Sequence, residues 1–204
     1  DSTVTTTSIS TGAMLVELNI STWTGRKKDK RASKQVAIDN KAKIGVANVI
    51  KALLVDCEEL GNIQKLAGNV RNNTHYHLTM PWSDSGWRLL TTAAYFDYNK
   101  IMTGVQNDFY AMVDTFIAAY DWEKTQAQLT LGDMFDPNEY PSGEDLRGKF
   151  SFSINYMPVP ETGDWRVDVN NEAKVELEKH YTDFSERQIQ KALNNVWERL
   201  YEKL

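Results

Sequence analysis

The chain has 204 residues, of which 41% are hydrophobic and 11% aromatic, and its formal net charge is −5. This composition can bury a sizeable core, which excludes a wholly disordered chain, and the acidic balance excludes a protein that coats nucleic acid over its entire surface. The single cysteine excludes an intrachain disulfide. No apolar run approaches the ~20 residues of a membrane-spanning helix. We therefore expect a soluble protein that makes no membrane contact.

The first elements in chain order are a flexible lead and a strand. Residues 1–12 are rich in serine and threonine, which predicts a flexible N-terminal segment. Residues 14–23 alternate apolar and polar side chains around Leu18 and Ile20. This alternation predicts a half-buried strand.

Residues 26–51, called the basic segment below, hold nine basic and two acidic residues, a balance of +7. The rest of the chain has 14 basic and 26 acidic residues, a balance of −12. Such clustering is typical of a polyanion contact, with nucleic acid the first candidate. The apolar residues of its second half have helical spacing, so we expect a helix with a solvated cationic face. The alternative is a surface whose cations pair with the protein's own carboxylates. The residues predicted to contact nucleic acid are Trp23, Arg26, Lys27, Lys28, Lys30, Arg31 and Lys34.

The next stretch is predicted to be helical from Cys57 to about His77. His75 and His77 would share one face of an extended chain and begin a metal site, but no other ligand pattern accompanies them. We expect polar residues at a helix end and no metal site. The aromatic residues that follow either stack on bases or pack in a core, and Trp82 and Trp87 are the candidates for stacking.

The second half of the chain combines two long helices with short strands. A long amphipathic helix is predicted near 99–131, a short helix at 144–149, and a hairpin formed by strands at 150–156 and 165–169. A capping-box pattern at Ser185 predicts a final amphipathic helix over 185–204. Its apolar stripe is either a surface for a protein partner or self-association, or the closure of the core, and it consists of Ile189, Leu193, Val196 and Leu200.

Together these elements predict an α+β fold with one domain over residues 13–204. About three strands would form a small antiparallel sheet, packed with four or five helices, and the first strand would pair with the late hairpin. No glycine-rich phosphate loop, paired-carboxylate pattern or nucleophile signature is present. We therefore expect neither catalytic residues nor a cofactor.

Three stretches form a distinctive set in a fixed order. They are residues 18–29, LNISTWTGRKKD; residues 78–90, LTMPWSDSGWRLL, followed by Tyr95–Tyr98; and residues 150–167, with the pattern Pro-Val-Pro-x-x-Gly-Asp-Trp-Arg-Val. This set resembles an uncharacterised family of proteins from tailed phages and integrative mobile elements. The chain departs from that family's pattern at Thr91 and Ala94, which bears on a loop and not on chemistry.

Members of that family are often encoded near MoxR-type AAA+ ATPases and von Willebrand-type partner proteins. The resemblance therefore implies a phage or mobile-element accessory protein in the cytoplasm of the infected or host bacterium, and it implies no activity. Combined with the basic segment, it suggests a non-enzymatic protein that binds nucleic acid. The alternative is a structural or adaptor protein in an assembly, for example a partner of an AAA+ ATPase.

Overall fold

The computed structural model describes residues 12–82, 86–160 and 171–201, and it has the expected α+β fold. Its strands are β1 (Ala13–Ser21), β2 (Arg26–Asp29), β3 (Val49–Ala52), β4 (Met80–Pro81), β5 (Arg88–Thr91) and β6 (Ser151–Pro158). Its helices are α1 (Lys30–Asp39), α2 (Glu58–Asn69), α3 (Tyr95–Leu131), α4 (Gly143–Arg147) and α5 (Asn171–Tyr201). A π-helical turn at Val70–His75 and a last turn at Tyr76–Leu78 extend α2. The predicted strand at 165–169 lies outside the described residues.

The chain divides into two compact units, which are described separately. The first unit contains Asp1–Asn19, Gly68–Gln106 and Phe152–Leu204, and the second contains Ile20–Ala67 and Asn107–Ser151. This division does not test the prediction of a single domain over residues 13–204, which stays a prediction.

The first unit is built on a sheet with the strand order β4-β5-β1-β6. β1 and β6 are neighbours in this sheet although they are far apart in sequence, in agreement with the predicted pairing of the first strand with a late one. β5 pairs antiparallel with β1, with Leu15 opposite Leu89. β4 and β5 were not predicted, because strands of two and four residues are too short to produce a readable alternation.

The hydrophobic core of the first unit contains residues from both the sheet and α5. Ala192 of α5 is buried with four residues from the sheet and its flanks, and the half-buried Ile189 packs against this cluster. The four other buried members of the cluster are Leu15, Trp82, Leu89 and Val159. One face of α5 therefore closes the core of its own unit.

Two arginines bind the carbonyl groups at the C-terminal end of the helical stretch that begins with α2. Arg199 of α5 donates to the carbonyl oxygens of Tyr76 at 2.6 Å, His77 at 3.0 Å and Thr79 at 3.2 Å. Arg88 of β5 donates to the carbonyl oxygens of Tyr76 and Thr79. These carbonyls carry the negative end of the helix dipole, so both cations stabilise this helix end, and Arg199 also attaches α5 to it.

The two histidines near this helix end have different surroundings. His75 is 2% exposed, and its Nδ1 lies 2.7 Å from the Tyr98 hydroxyl. Burial, together with the cations of Arg88 and Arg71, lowers the pKa of His75 to about 4. His77 is exposed. The pair therefore ends the helical stretch, as the sequence predicts.

The core of the second unit is aromatic. α3 buries Phe109, Val113, Phe116 and Tyr120, which are spaced by four, three and four residues along one face. The ring of Trp23 packs against Phe116 and Tyr120 at centroid distances of 6.3 and 6.0 Å. The predicted helix at 99–131 is confirmed, although it begins four residues earlier than expected.

The structure corrects the helix predicted in the second half of the basic segment. α1 ends at Asp39, where Lys41 adopts a left-handed φ of 49° and the amides of Lys41 and Ala42 donate back to Ile38 and Ala37. This pattern is a Schellman cap, which terminates a helix. Five of the apolar positions with helical spacing are exposed, and the first two of them lie within α1 itself: Val36, Ile38, Ile44, Val46 and Ile50.

The structure also corrects the start of the last helix. α5 begins at Asn171, so Ser185 lies within the helix and is not an N-cap. A capping-box pattern reports only local preference, and here the residues before it continue the helix.

Candidate nucleic-acid interface

The basic segment forms a two-stranded ribbon, β2 and β3, joined through α1. The strands are antiparallel, with Arg26 opposite Ala52, Lys27 opposite Lys51 and Lys28 opposite Ile50. Since side chains alternate between the two faces of a strand, Arg26 and Lys28 lie on one face of the ribbon and Lys27 on the other. The ribbon therefore presents cations on both faces.

Asp29 connects the ribbon to the helix. Its carboxylate accepts a hydrogen bond from the Ala32 amide at 2.8 Å and so caps the N-terminus of α1. This bond, assisted by Lys51 and Arg31, lowers the pKa of Asp29 even though desolvation acts in the opposite direction. The Ser33 hydroxyl donates to the Asp29 carbonyl and accepts from the Val49 amide, which ties α1 to β3.

Among the described residues, Lys51 is the one basic residue of the segment whose charge is paired with carboxylates of the protein itself. Its side chain is 6% exposed, and its Nζ lies 2.6 Å from a Glu139 carboxylate oxygen and 3.8 Å from Asp29. It also donates to the carbonyl oxygen of Met134 at 2.6 Å. Lys51 therefore fixes the ribbon to the turn at Gly132–Glu139 and is not available to an outside ligand.

The six cations that the sequence predicts as contacts are all exposed. In residues 12–82, 86–160 and 171–201, none of them has a carboxylate oxygen within 4 Å. Arg31 makes a long hydrogen bond of 3.4 Å to the carbonyl of Asp133. We call this set the basic surface: Arg26, Lys27, Lys28, Lys30, Arg31 and Lys34. The alternative in which the cations are paired with internal carboxylates holds for Lys51 alone in this part of the chain.

A depression of about 410 Å³ lies beside the basic surface, and its lining carries both signs of charge. Four residues of the basic surface and Lys51 line it, together with the carboxylates of Asp29, Asp133, Asp136 and Glu139. The lining holds five cations and four carboxylates, so its charges nearly cancel and it offers a phosphate little net attraction.

Two of the tryptophans predicted for the interface are buried. Trp23 is 9% exposed and Trp82 is 4% exposed, and both rings pack inside hydrophobic cores. Neither ring can stack on a base. Trp87 is half-buried and packs against the cluster that contains Trp82. Core packing, the alternative for these aromatic residues, describes their positions.

The predicted stripe of the last helix is divided. Ile189 and Val196 are half-buried, whereas Leu193 is 49% exposed. The side chain of Leu200 lies outside the described part of the structure. A different stripe, spaced by four residues and exposed to solvent, consists of Leu193, Trp197 and Tyr201.

Sequence reasoning did not find the acidic side of the depression. Asp133, Asp136 and Glu139 lie about a hundred residues after the basic segment, and only the folded chain brings them together. Phe135, which also lines the depression, packs on Tyr140 at a centroid distance of 5.1 Å. No spacing pattern in the sequence connects these residues with the basic segment.

Comparisons with protein-family models, with curated proteins and with solved structures found no match to this chain. Among the described residues, none of the helices has the length and apolar character needed to cross a membrane. The geometry of the basic surface is therefore the starting point for a functional proposal.

Proposed function

We propose that this chain is a non-enzymatic accessory protein of a phage or mobile element that binds the phosphate backbone of nucleic acid through the basic surface. The observation that carries the proposal is the exposure of six cations with no carboxylate within 4 Å among the described residues. Lys30 and Lys34 lie four residues apart on α1, where like charges repel each other and destabilise the helix. A polyanion relieves this repulsion.

The proposed contact is electrostatic and does not depend on sequence. Lysine and arginine bind phosphates and release counterions, which gives micromolar or weaker affinity and a steep dependence on salt. Trp23, the tryptophan that precedes the basic segment, is buried and cannot stack on a base, so the surface suits a duplex backbone better than unstacked single strands.

The proposal is tested by mobility shift with a variant in which Arg26, Lys27, Lys28, Lys30 and Arg31 are changed to alanine. The matched control changes five exposed lysines elsewhere to alanine, so each variant loses five positive charges. The control positions are Lys65, Lys100, Lys149, Lys179 and Lys191. We expect the first variant to lose binding and the control to retain most of it. Equal affinities for the two variants would reject the basic surface as the contact.

A second candidate function is an adaptor that binds an acidic protein surface, such as that of the AAA+ ATPase implied by the resemblance. The exposed aliphatic side chains beside the basic surface favour it, since nucleic acid backbones offer little for them to contact. Ile44 and Val46 are 61% and 65% exposed. Light scattering distinguishes the two candidates: an oligomer that ignores oligonucleotides favours the adaptor, and a monomer that gains mass with duplex DNA favours nucleic-acid binding.

A further inference from the structure

Three potential metal ligands lie together in the second unit, and none of them belongs to the basic segment. The Cys57 thiol and the carboxylates of Glu59 and Glu123 each offer a ligand atom, and these atoms lie within 4.8 Å of one another. Cys57 immediately precedes α2, and its carbonyl accepts the amide of Gly61 at 3.1 Å. Glu59 follows in the first turn of α2, and Glu123 comes from α3. The start of α2 therefore positions Cys57 and Glu59, and α3 brings Glu123 beside them.

Glu123 occupies a core position of α3. The buried face of this helix runs through Phe116, Tyr120 and Ala127, and Glu123 lies between the last two at the spacing of an apolar residue. It is only 8% exposed, and no cation of the described residues lies within 4 Å of its carboxylate. A buried carboxylate without a cation is costly, and a structural role would be served better by an apolar side chain.

The thiol cannot satisfy both carboxylates. Its sulfur lies 3.8 Å from a carboxylate oxygen of Glu59, and it has one hydrogen to share between Glu59 and Glu123. Each of the three groups is anionic when it has lost its proton. The three groups therefore repel one another when ionised, and a divalent cation would remove this repulsion.

We propose that Cys57, Glu59 and Glu123 bind a thiophilic divalent cation, with Zn²⁺ the best fit. Zinc accepts thiolate and carboxylate ligands together, whereas Mg²⁺ and Ca²⁺ prefer oxygen alone. Tetrahedral zinc with ordinary bond lengths places a sulfur and an oxygen ligand about 3.6 Å apart. The 3.8 Å between Cys57 Sγ and Glu59 Oε2 is close to that value. Three protein ligands leave the fourth position for water or another ligand.

The test uses the full chain, stripped of metal with a chelator and titrated with Co²⁺, whose thiolate complexes absorb light, and then with Zn²⁺ in calorimetry. The variants are Glu123→Gln and Glu59→Gln, which keep the side-chain shape, and Cys57→Ser, which removes the thiolate. Glu58→Gln is the matched control, because Glu58 is an exposed carboxylate in the same helical turn. Circular dichroism establishes that each variant is folded.

We expect one equivalent of metal per chain, a thiolate absorption band with Co²⁺, and displacement of Co²⁺ by Zn²⁺ but not by excess Mg²⁺. Glu123→Gln and Glu59→Gln should each weaken binding by at least about tenfold, Cys57→Ser should abolish the band, and Glu58→Gln should leave both unchanged. The absence of a band in the parent chain, or an affinity that Glu123→Gln leaves unchanged, would overturn the proposal.

Discussion

Replacing Lys51 with methionine tests whether this residue fixes the ribbon to the turn at Gly132–Glu139. The substitution removes a buried charge and keeps most of the side-chain volume. Its side chain is 6% exposed and its Nζ contacts a Glu139 oxygen at 2.6 Å. Removing one partner of a buried ion pair costs about 3–5 kcal/mol. Glu139 is 19% exposed, so water compensates part of that loss, and we expect Lys51→Met to reduce the free energy of unfolding by about 3 kcal/mol.

The assay is urea denaturation followed by tryptophan fluorescence, with Lys34→Met as the control. Lys34 is exposed on α1, and its replacement should change the free energy of unfolding by no more than about 0.5 kcal/mol. Combining Lys51→Met with Glu139→Gln removes both charges and should cost less than the sum of the two single changes by about 1 kcal/mol or more.

The loss of Lys51 should also affect binding. Without Lys51, the carboxylates of Asp29 and Glu139 remain beside the basic surface and repel phosphate, so Lys51→Met should weaken duplex binding although Lys51 does not contact the ligand. A loss of stability below about 1 kcal/mol, or no coupling between Lys51 and Glu139, would refute the account of this ion pair.

Three further outcomes are expected. The unfolded chain binds a proton at His75 below pH 6.5, whereas the folded chain binds it only near pH 4, so the free energy of unfolding should decrease as the pH is lowered from 6.5 to 4. This decrease should be less steep in His75→Gln than in the control His77→Gln. Equal slopes in the two variants would contradict the burial of a neutral His75. Arg199→Gln should raise hydrogen exchange in α5 far more than Arg187→Gln, whose side chain donates to the Asp183 carbonyl of the same helix, and similar exchange in both would contradict the proposed attachment. Asp133→Asn should strengthen duplex binding by roughly two- to fivefold at low salt, because it removes a carboxylate beside the cations, and unchanged or weaker binding would contradict this reasoning.

Local patterns predicted the elements that have a strong period. The helix near 99–131 and the strand at 150–156 were readable because apolar side chains recur at fixed spacing over many residues. The prediction that a helix continues beyond Asp39 was wrong for a local reason. Lys41 adopts a left-handed conformation that is more usual for glycine or asparagine, so no sequence signal marked the cap.

The sequence predicted the cations of the candidate site but not the burial of Trp23 or the pairing of Lys51. The cations of the basic surface are adjacent in the sequence, and their clustering was visible as charge asymmetry. The burial of Trp23 was not visible, since an aromatic residue beside a basic run can stack on a ligand or pack in a core. The pairing of Lys51 with Glu139 depends on a contact across 88 positions of the chain, which no local rule supplies.

The central claim is that the six cations of the basic surface bind phosphates, and the salt dependence of duplex DNA binding tests it most directly. If all six neutralise phosphates, the logarithm of the association constant should fall with the logarithm of the salt concentration with a slope of about −5. The variant that retains only Lys34 should have a slope near −1. A slope of small magnitude in the parent chain, or no detectable binding at low salt, would contradict the claim.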